Sequence, residues 1–566
     1  MCQFIVLQVG RKQLVLWGLG WIGLLLIVPL LFVPVAAQGL DPPPPVVLAD
    51  VMRAATDCAP LPPPPGSDTI VNVSTVAQLW TAVNAAVPHT TILLADGTYN
   101  LGENDHYLWI ATPHLTIRSA SGNREAVILD DNYSRTQTVS IVASNVTLAD
   151  ITIKRAYTHP IHVMNSSTAH ALNTLIYNVH IIDPGQQAIK INPVSGGYYA
   201  DSGVIACSTI ELTDAGRPHI RNNCYTGGID MHQGRDWVIR DNHIAGFWCS
   251  SGLSEHGIHL WRGCRDPIIE RNVLHNNARG IGFGLATSGT ARTYADHPCP
   301  GTSGYVDHYG GIIRNNFVFA NRAELFASQS GFDSGISLWN ACEVGTYHNT
   351  VVSTQAPFSS IEWRFANTSV DLVNNLVSHN LRQRDGATAT QAGNLINAPL
   401  TLFVDGAGGD LHLLPGATAV IDQGVPLAAG LCDDDIDGDP RPIGPARDIG
   451  ADEYGIPAPA AIRDLRVIQA TLDGGNLTVT LRWTPPVAAI TTTVRYAAQP
   501  LTAATWDVAA DFATGDVIHT ATHTLSYNSG VRYFAVRTHN TGGWSPLSNL
   551  AFWPHYDIYL PLVLRQ

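Results

Sequence analysis

Six short segments in the middle of the chain share one alternation: Ala188-Ile-Lys-Ile-Asn192, Gly228-Ile-Asp-Met-His232, Gly257-Ile-His-Leu-Trp261, Gly280-Ile-Gly-Phe-Gly284, Gly335-Ile-Ser-Leu-Trp339 and Ser360-Ile-Glu-Trp-Arg364. Apolar residues at period two predict strands with one buried face. Recurrence of the same strand predicts that the copies stack. In that register Ile189, Ile229, Ile258, Ile281, Ile336 and Ile361 point inward. Lys190, Asp230, His259, Gly282, Ser337 and Glu362 form one outward column, and Asn192, His232, Trp261, Gly284, Trp339 and Arg364 the next. Such a chain buries its apolar side only against its own neighbouring coils, which is the constraint that makes a solenoid.

A second strand follows most of these segments and ends on asparagine: Ile-Arg-Asp-Asn242, Ile-Glu-Arg-Asn272, Tyr-His-Asn349 and Val-Asn-Asn375, with Ile-Arg-Asn-Asn316 delayed by an insertion. Asn178 stands earlier, and Cys207 is expected to take the equivalent place in its coil. An inward asparagine at a turn can bond to the one above and below while satisfying turn backbone groups. This column is architecture rather than chemistry.

The flanks suggest export. Arg11 and Lys12 precede an apolar run from Leu14 to Val35, and Val35-Ala36-Ala37 before Gln38 has the small-residue pattern of a signal-peptidase site. Residues 1–37 are therefore expected to be a signal peptide, with a retained membrane anchor as the alternative. Beyond Cys2, eight cysteines remain, an even set suited to an oxidising compartment, and their spacing matches no compact zinc site. Connectivity is not deducible from sequence; the pairs expected here are Cys207 with Cys224 and Cys249 with Cys264. A net charge of −14 leaves no basic footprint for nucleic acid. Residues 38–67, with two tetraproline runs, read as a stiff linker. Ser74 is a candidate N-cap for a helix from Thr75 to Val87, stopped by Pro88, that would cap the open end of the first coil. A first strand is expected over Ile92 to Ala95, closed by a turn at Asp96.

The helix, the Leu93-Leu-Ala-Asp-Gly-Thr-Tyr99 entry and the stacked strand pairs with an asparagine column resemble the right-handed parallel β-helix of the pectate-lyase-like superfamily over about residues 68–414. That resemblance implies an all-β protein, extracellular, acting on polysaccharides as a lyase, hydrolase or epimerase of uronic-acid polymers, although fold does not fix function. Residues 415–456, with Asp433-Asp-Asp-Ile-Asp-Gly-Asp-Pro-Arg-Pro442 and Asp448-Ile-Gly-Ala-Asp-Glu-Tyr454, resemble the choice-of-anchor Q region of secreted bacterial β-helix proteins. Asp435, Asp437 and Asp439 alternate like a calcium loop but lack its distal glutamate, so a solvated turn is expected. Residues 457–553, with Trp483, Tyr496 and the run from Tyr533 to Ser548, resemble a fibronectin type III domain, a small β-sandwich. Residues 554–566, ending in Ile558-Tyr-Leu-Pro-Leu-Val-Leu-Arg565, resemble a terminal surface-retention motif, or complete the last sheet.

The candidate site lies on the outward columns. Lysine occurs only at Lys12, Lys154 and Lys190, whereas arginine is abundant, and an ammonium gives up its proton far more readily than a guanidinium. Lys190 is therefore the expected general base, although a surface lysine is the alternative. Asp230 is its orienting partner or a Ca²⁺ ligand. His232, His259 and Arg364 are expected to neutralise a substrate carboxylate and protonate the leaving oxygen. Trp261 and Trp339 are expected sugar platforms, with Glu362, Asn192 and His256 as further substrate contacts. Insertions at Pro193–Thr226 and Leu285–Tyr309 would wall the groove.

This set fits β-elimination on a uronic-acid glycan, which needs carboxylate neutralisation, a base and a proton donor. Hydrolysis needs two carboxyl groups about 5–10 Å apart. Asp230 and Glu362, four strands apart at about 19 Å, cannot supply them. The calcium aspartates and Arg-Pro-Arg pattern of pectate lyases and the paired aspartates of polygalacturonases are missing. Glycoside hydrolysis and glycan binding without catalysis remain alternatives, and a Zn²⁺ or Ca²⁺ site from Asp230, His232, His256 and His259 is a weaker one. The expected partner is a polysaccharide, with attachment to a cell surface and a monomeric state.

Overall fold

The computed structural model describes residues 58–554 apart from 103–106, 195–196, 457, 487–488 and 541. The apolar leader, most of the linker and the 558–565 motif lie outside the described residues. Three long parallel sheets, one of twelve strands and two of ten, are visited in turn by successive coils. One coil supplies Leu175–Tyr177, His180–Ile182 and Gln187–Ile191, and the next supplies Val204–Ala206, Thr209–Glu211 and Gly227–His232. These pair as Leu175 with Val204, His180 with Thr209 and Ile189 with Ile229, all parallel. The fold is a parallel β-helix followed by a small antiparallel β-sandwich.

The inward isoleucine column forms as the alternation requires. Ile189, Ile229, Ile258, Ile281, Ile336 and Ile361 pair on consecutive strands, and all are fully buried. The first coil is covered by the helix Val76–Ala85, whose Leu79 and Val83 enter the solenoid core. Its N-cap is Thr75 rather than Ser74. Thr75 Oγ1 accepts from the Gln78 N–H at 3.2 Å, and Gln78 Oε1 accepts from the Ser74 N–H at 2.8 Å, a reciprocal cap that leaves Ser74 one residue outside.

Eight successive coils turn from the twelve-stranded sheet into the next through a residue in the left-handed region: Asp150, Asn178, Cys207, Asp241, Arg271, Asn315, His348 and Asn374 have φ between 50 and 58°. The residue after this corner carries the ladder. Nδ2 of Asn242, Asn272, Asn316, Asn349 and Asn375 each donates to the next Oδ1 at 2.9–3.1 Å, ending on Asn394. The same Oδ1 atoms accept the backbone N–H of the asparagine below. Asn178 is therefore a corner residue, its Nδ2 bonded to Asp150 Oδ1 at 2.8 Å. Cys207 is also a corner, and Ser208, whose N–H donates to Asn242 Oδ1 at 2.9 Å, takes the ladder position expected of it.

The disulfides differ from the expected pairs. Cys58 joins Cys207, Cys224 joins Cys249, and Cys299 joins Cys342. Neighbouring coils stack the loops that carry Cys224 and Cys249, so a bridge between coils is geometrically closer than one within a loop. Cys264 is a buried thiol directed at the Met231 carbonyl, and Cys432 is also unbridged. The linker residues nearest the β-helix are tethered, with Arg118 donating to the carbonyls of Leu61 and Pro62 and Tyr177 to that of Ala59.

Between helix and sandwich, Leu402, Leu411, Val420 and Ile449 pack on Phe317, Phe319, Val352 and Leu376 of the solenoid. Asp435 is buried rather than solvated: its carboxylate accepts the N–H groups of Asp437, Asp439 and Glu453 at 2.8–3.0 Å. The sandwich pairs strands 466–473, 476–482 and 520–526 in one sheet and builds a second around 491–497 and 532–540, closing on Trp483, Val494, Phe512 and Phe534. No helix among the described residues is long and apolar enough to cross a membrane.

Replacing Asn316 with Ala should remove the Oδ1 that accepts from Asn272 and leave the buried Asn272 backbone N–H without an acceptor, while Asn272 Nδ2 keeps the Ile239 and Glu270 carbonyls. Urea denaturation should show a loss of about 3 kcal/mol; an unchanged midpoint would mean that the ladder adds nothing beyond the strand pairing.

Candidate active site

The pentads occupy one ten-stranded sheet, and their outward column runs Trp109, Ser140, His162, Lys190, Asp230, His259, Gly282, Ser337, Glu362, Arg382 on consecutive strands. Loops 212–226, 246–255 and 321–333 enter this sheet on one side, and loops 192–199 and 284–307 leave on the other. The expected insertion Pro193–Thr226 is thus only partly a wall, since it contains the ordinary coil strands Val204–Ala206 and Thr209–Glu211. Lys190, Asp230, His259, Ser337 and Glu362 point away from the core yet are buried. They form the floor of a cleft rather than an exposed face.

At its centre the Lys190 ammonium is ion-paired with Asp230 Oδ2 and lies 3.0 Å from His232 Nε2. Asp230 Oδ1 accepts from Trp261 Nε1–H at 2.8 Å, and His259 Nδ1 stands 3.8 Å away. Burial disfavours the Asp230 carboxylate, but Lys190, then His232 and His259, outweigh it and hold its pKa well below the usual range. Burial likewise works against the Lys190 ammonium, and Asp230 reverses that effect, so the Lys190 pKa is raised. The ion pair with Asp230 favours the charged form of Lys190 in the free protein. The available lone pair belongs to His232, whose pKa burial lowers, partly offset by Asp230. Tyr225, beside Lys190, keeps its phenolic proton because burial and then Asp230 raise its pKa.

Other expected residues fall elsewhere. Asn192, two residues after Lys190, accepts from His162 Nε2–H at 2.7 Å, while Gln137 donates to His162 Nδ1, so Asn192 is engaged by a neutral histidine of the preceding strand. Burial lowers that histidine's pKa to about 4. Arg364 is not brought to Lys190: it pairs with Asp385 and shares a strand with Glu362, four strands, or about 19 Å, from Asp230. Glu362 accepts from Trp339 Nε1–H and lies 3.3 Å from Arg384. The two tryptophans therefore fasten carboxylates. The Trp261 ring also stacks on His259 at 5.2 Å with Arg262 at 4.4 Å, and both indoles stay partly exposed.

Ca²⁺, which takes 6–8 oxygen ligands, does not fit at Asp230, where the oxygens already face an ammonium, an indole N–H and two imidazoles. Two functional candidates were missed from sequence. Tyr225 lies two residues before the strand Gly227–His232. Glu255 lies just before His256, its Oε2 at 3.1 Å from His259 Nδ1. Glu255 precedes the strand His256–Trp261 and so falls outside the pentads from which the outward column was read.

No protein-family model and no curated protein matches the chain. Among solved structures it is similar to an alginate lyase from Paenibacillus sp., with 15% identity over 58% of this chain and 99% of that one and a TM-score of 0.38. It is also similar to the A-module of a mannuronan C-5 epimerase from Azotobacter vinelandii, with 14% identity over 57% and 95% of the chains and a TM-score of 0.32. A PL6-family polysaccharide lyase from Pseudopedobacter saltans matches with 10% identity over 68% and 100% and a TM-score of 0.30. At this similarity, function has to be read from the cleft itself.

Trp261→Phe keeps the ring but removes the donor to a buried carboxylate oxygen. Unfolding measurements should show a loss of about 1–3 kcal/mol; wild-type stability would indicate that the indole is only packing.

Proposed function

We propose that this is a secreted carbohydrate-active β-helix enzyme that cleaves an acidic, uronic-acid-containing polysaccharide by β-elimination. The observation that carries this reading is the Lys190–Asp230–His232 cluster with Tyr225, in which the cation, the neutral lone pair and the phenolic proton stand together. A substrate carboxylate drawing the Lys190 ammonium toward itself would neutralise its own charge and free His232 Nε2. His232 then accepts the proton on the carbon beside the carboxylate, the electron pair forms the new C=C bond, and the glycosidic C–O bond breaks. Tyr225 hands its proton to the departing oxygen. Asp230, held by Trp261, positions Lys190 and His232.

Hydrolysis is the poorer fit. Asp230 and Glu255, on either side of His259, are the carboxyl groups closest to the arrangement it needs, but neither offers a proton. Burial would raise the Glu255 pKa, yet His256 and His259 outweigh it and keep Glu255 ionised, as Lys190 does for Asp230.

Purified protein is to be screened against uronic-acid polymers for the rising ultraviolet absorbance of a conjugated enoate. New reducing ends without that absorbance would establish hydrolysis, and binding without either product a glycan-binding protein. With the active polymer, His232→Gln should lower kcat about 10²–10⁴-fold with folding intact. Because the His232 pKa is lowered, kcat/KM should hold through pH 6.5 and fall on its acid side as His232 takes up a proton. Lys190→Arg should retain binding and measurable turnover. Loss of turnover with binding retained would return the base to Lys190.

A further inference from the structure

Glu255, His256 and His259 bring three donor atoms to one point beside the Lys190 centre. Glu255 Oε2, His256 Nδ1 and His259 Nδ1 all lie within 4.8 Å of one another, with Oε2 at 3.1 Å from His259 Nδ1 and 3.9 Å from His256 Nδ1. A tetrahedral site with bonds of 2.0–2.1 Å has donor-to-donor edges of about 3.3 Å. These same atoms are buried and make no aligned hydrogen bond. Three converging polar atoms without partners, two of them on fully covered rings, are rare in a folded interior.

The opposite ring nitrogens explain which way the lone pairs face. His259 Nε2 lies 3.3 Å from the Gly284 carbonyl, which only an N–H can satisfy, so a neutral His259 presents a bare Nδ1 to Glu255. His256 Nε2 lies 2.8 Å from Ser337 Oγ. Histidines that hold metals are fixed in this way, through the nitrogen that does not bind. A bare Nδ1 and a carboxylate oxygen at 3.1 Å repel each other unless a metal cation or a proton on the ring stands between them.

The cradle is also built in the strand pattern. Gly282 is the glycine of the outward column, and a Cβ there would fall 2.5 Å from His256 Nε2. The missing side chain is the space that the His256 ring fills. The two imidazoles pack 4.4 Å apart at 35°, and the Glu255 side chain is 16% exposed, so the trio reaches the cleft through its carboxylate.

We infer that Glu255, His256 and His259 form a binding site for one divalent transition-metal ion of the Zn²⁺ class. Two imidazoles and one carboxylate suit Zn²⁺ rather than Ca²⁺ or Mg²⁺, and three protein ligands leave a position for water or a ligand oxygen. Asp230 adds negative charge 3.8 Å from His259 Nδ1. The inference is independent of the elimination reading, since no step of that reaction passes through the ion.

The test uses the full secreted chain, stripped with chelator and titrated with Zn²⁺ by calorimetry, with bound metal counted by elemental analysis. One equivalent is expected, with affinity about 100-fold or more weaker in Glu255→Gln and His256→Gln. His412→Ala, which breaks the separate trio His412, Asp437 and Asp452, should bind as wild type. Gly282→Ala should weaken binding by displacing the His256 ring. Co²⁺ in the wild-type protein should give the visible bands of a four-coordinate nitrogen–oxygen site, a readout that stands even if a variant fails to fold. No stoichiometric binding, octahedral Co²⁺ spectra, or affinity unchanged in both ligand variants would overturn the assignment and leave a protonated His259 as the bridge between the carboxylates.

Discussion

Everything in the solenoid depends on in-register parallel pairing of coils. The fully buried isoleucine column sets that register from inside, because a one-residue slip would turn every pentad inside out and expose its apolar side. The asparagine ladder sets it again from the turn, where each amide fits only one neighbour above and one below. With register held twice, the outward side chains are free to vary without altering the fold. Much of the chemistry of the cleft is written in those positions, with Tyr225 and Glu255 added from the loops before two of the strands.

The same pairing explains why the cleft residues act on one another so strongly. Strands about 4.8 Å apart put Lys190, Asp230 and His259 within reach of shared hydrogen bonds, and the loops above remove water. Charge that would be screened on an open sheet decides protonation here. Asp230 acts as a hub, its two oxygens divided between Lys190 on one side and Trp261 on the other. Change at any one of these residues is felt through the carboxylate by the rest.

What could be read in the sequence was whatever repeats. The pentad alternation predicted the strands, their partners and the outward column residue by residue, and the register holds from Ile189 to Ile361. Features that do not repeat were harder. The Asn178 and Cys207 corners miss by one residue, because left-handed turn geometry is carried by many residue types, and the Thr75 cap misses by one because Ser74 beside it is an equally suitable capping residue. The disulfides were misassigned because coil stacking brings loops together across the repeat. Burial was misjudged on the outward column, since no pattern announces that a loop will cover a strand. That error hid how closely Lys190 and Trp261 are held to Asp230.

The bridge from Cys58 to Cys207 has a mechanical meaning. Chain arriving from the N-terminal side meets the solenoid covalently at Cys207, while Arg118 and Tyr177 hold residues 59–62 against the sheet. A pull along that direction is therefore delivered to an interior coil by a covalent bond and bypasses the Val76–Ala85 cap and the first strands, which a tether without the bridge would peel away one hydrogen bond at a time. The lid over the hydrophobic end stays unloaded, because the force enters the solenoid beyond it at Cys207.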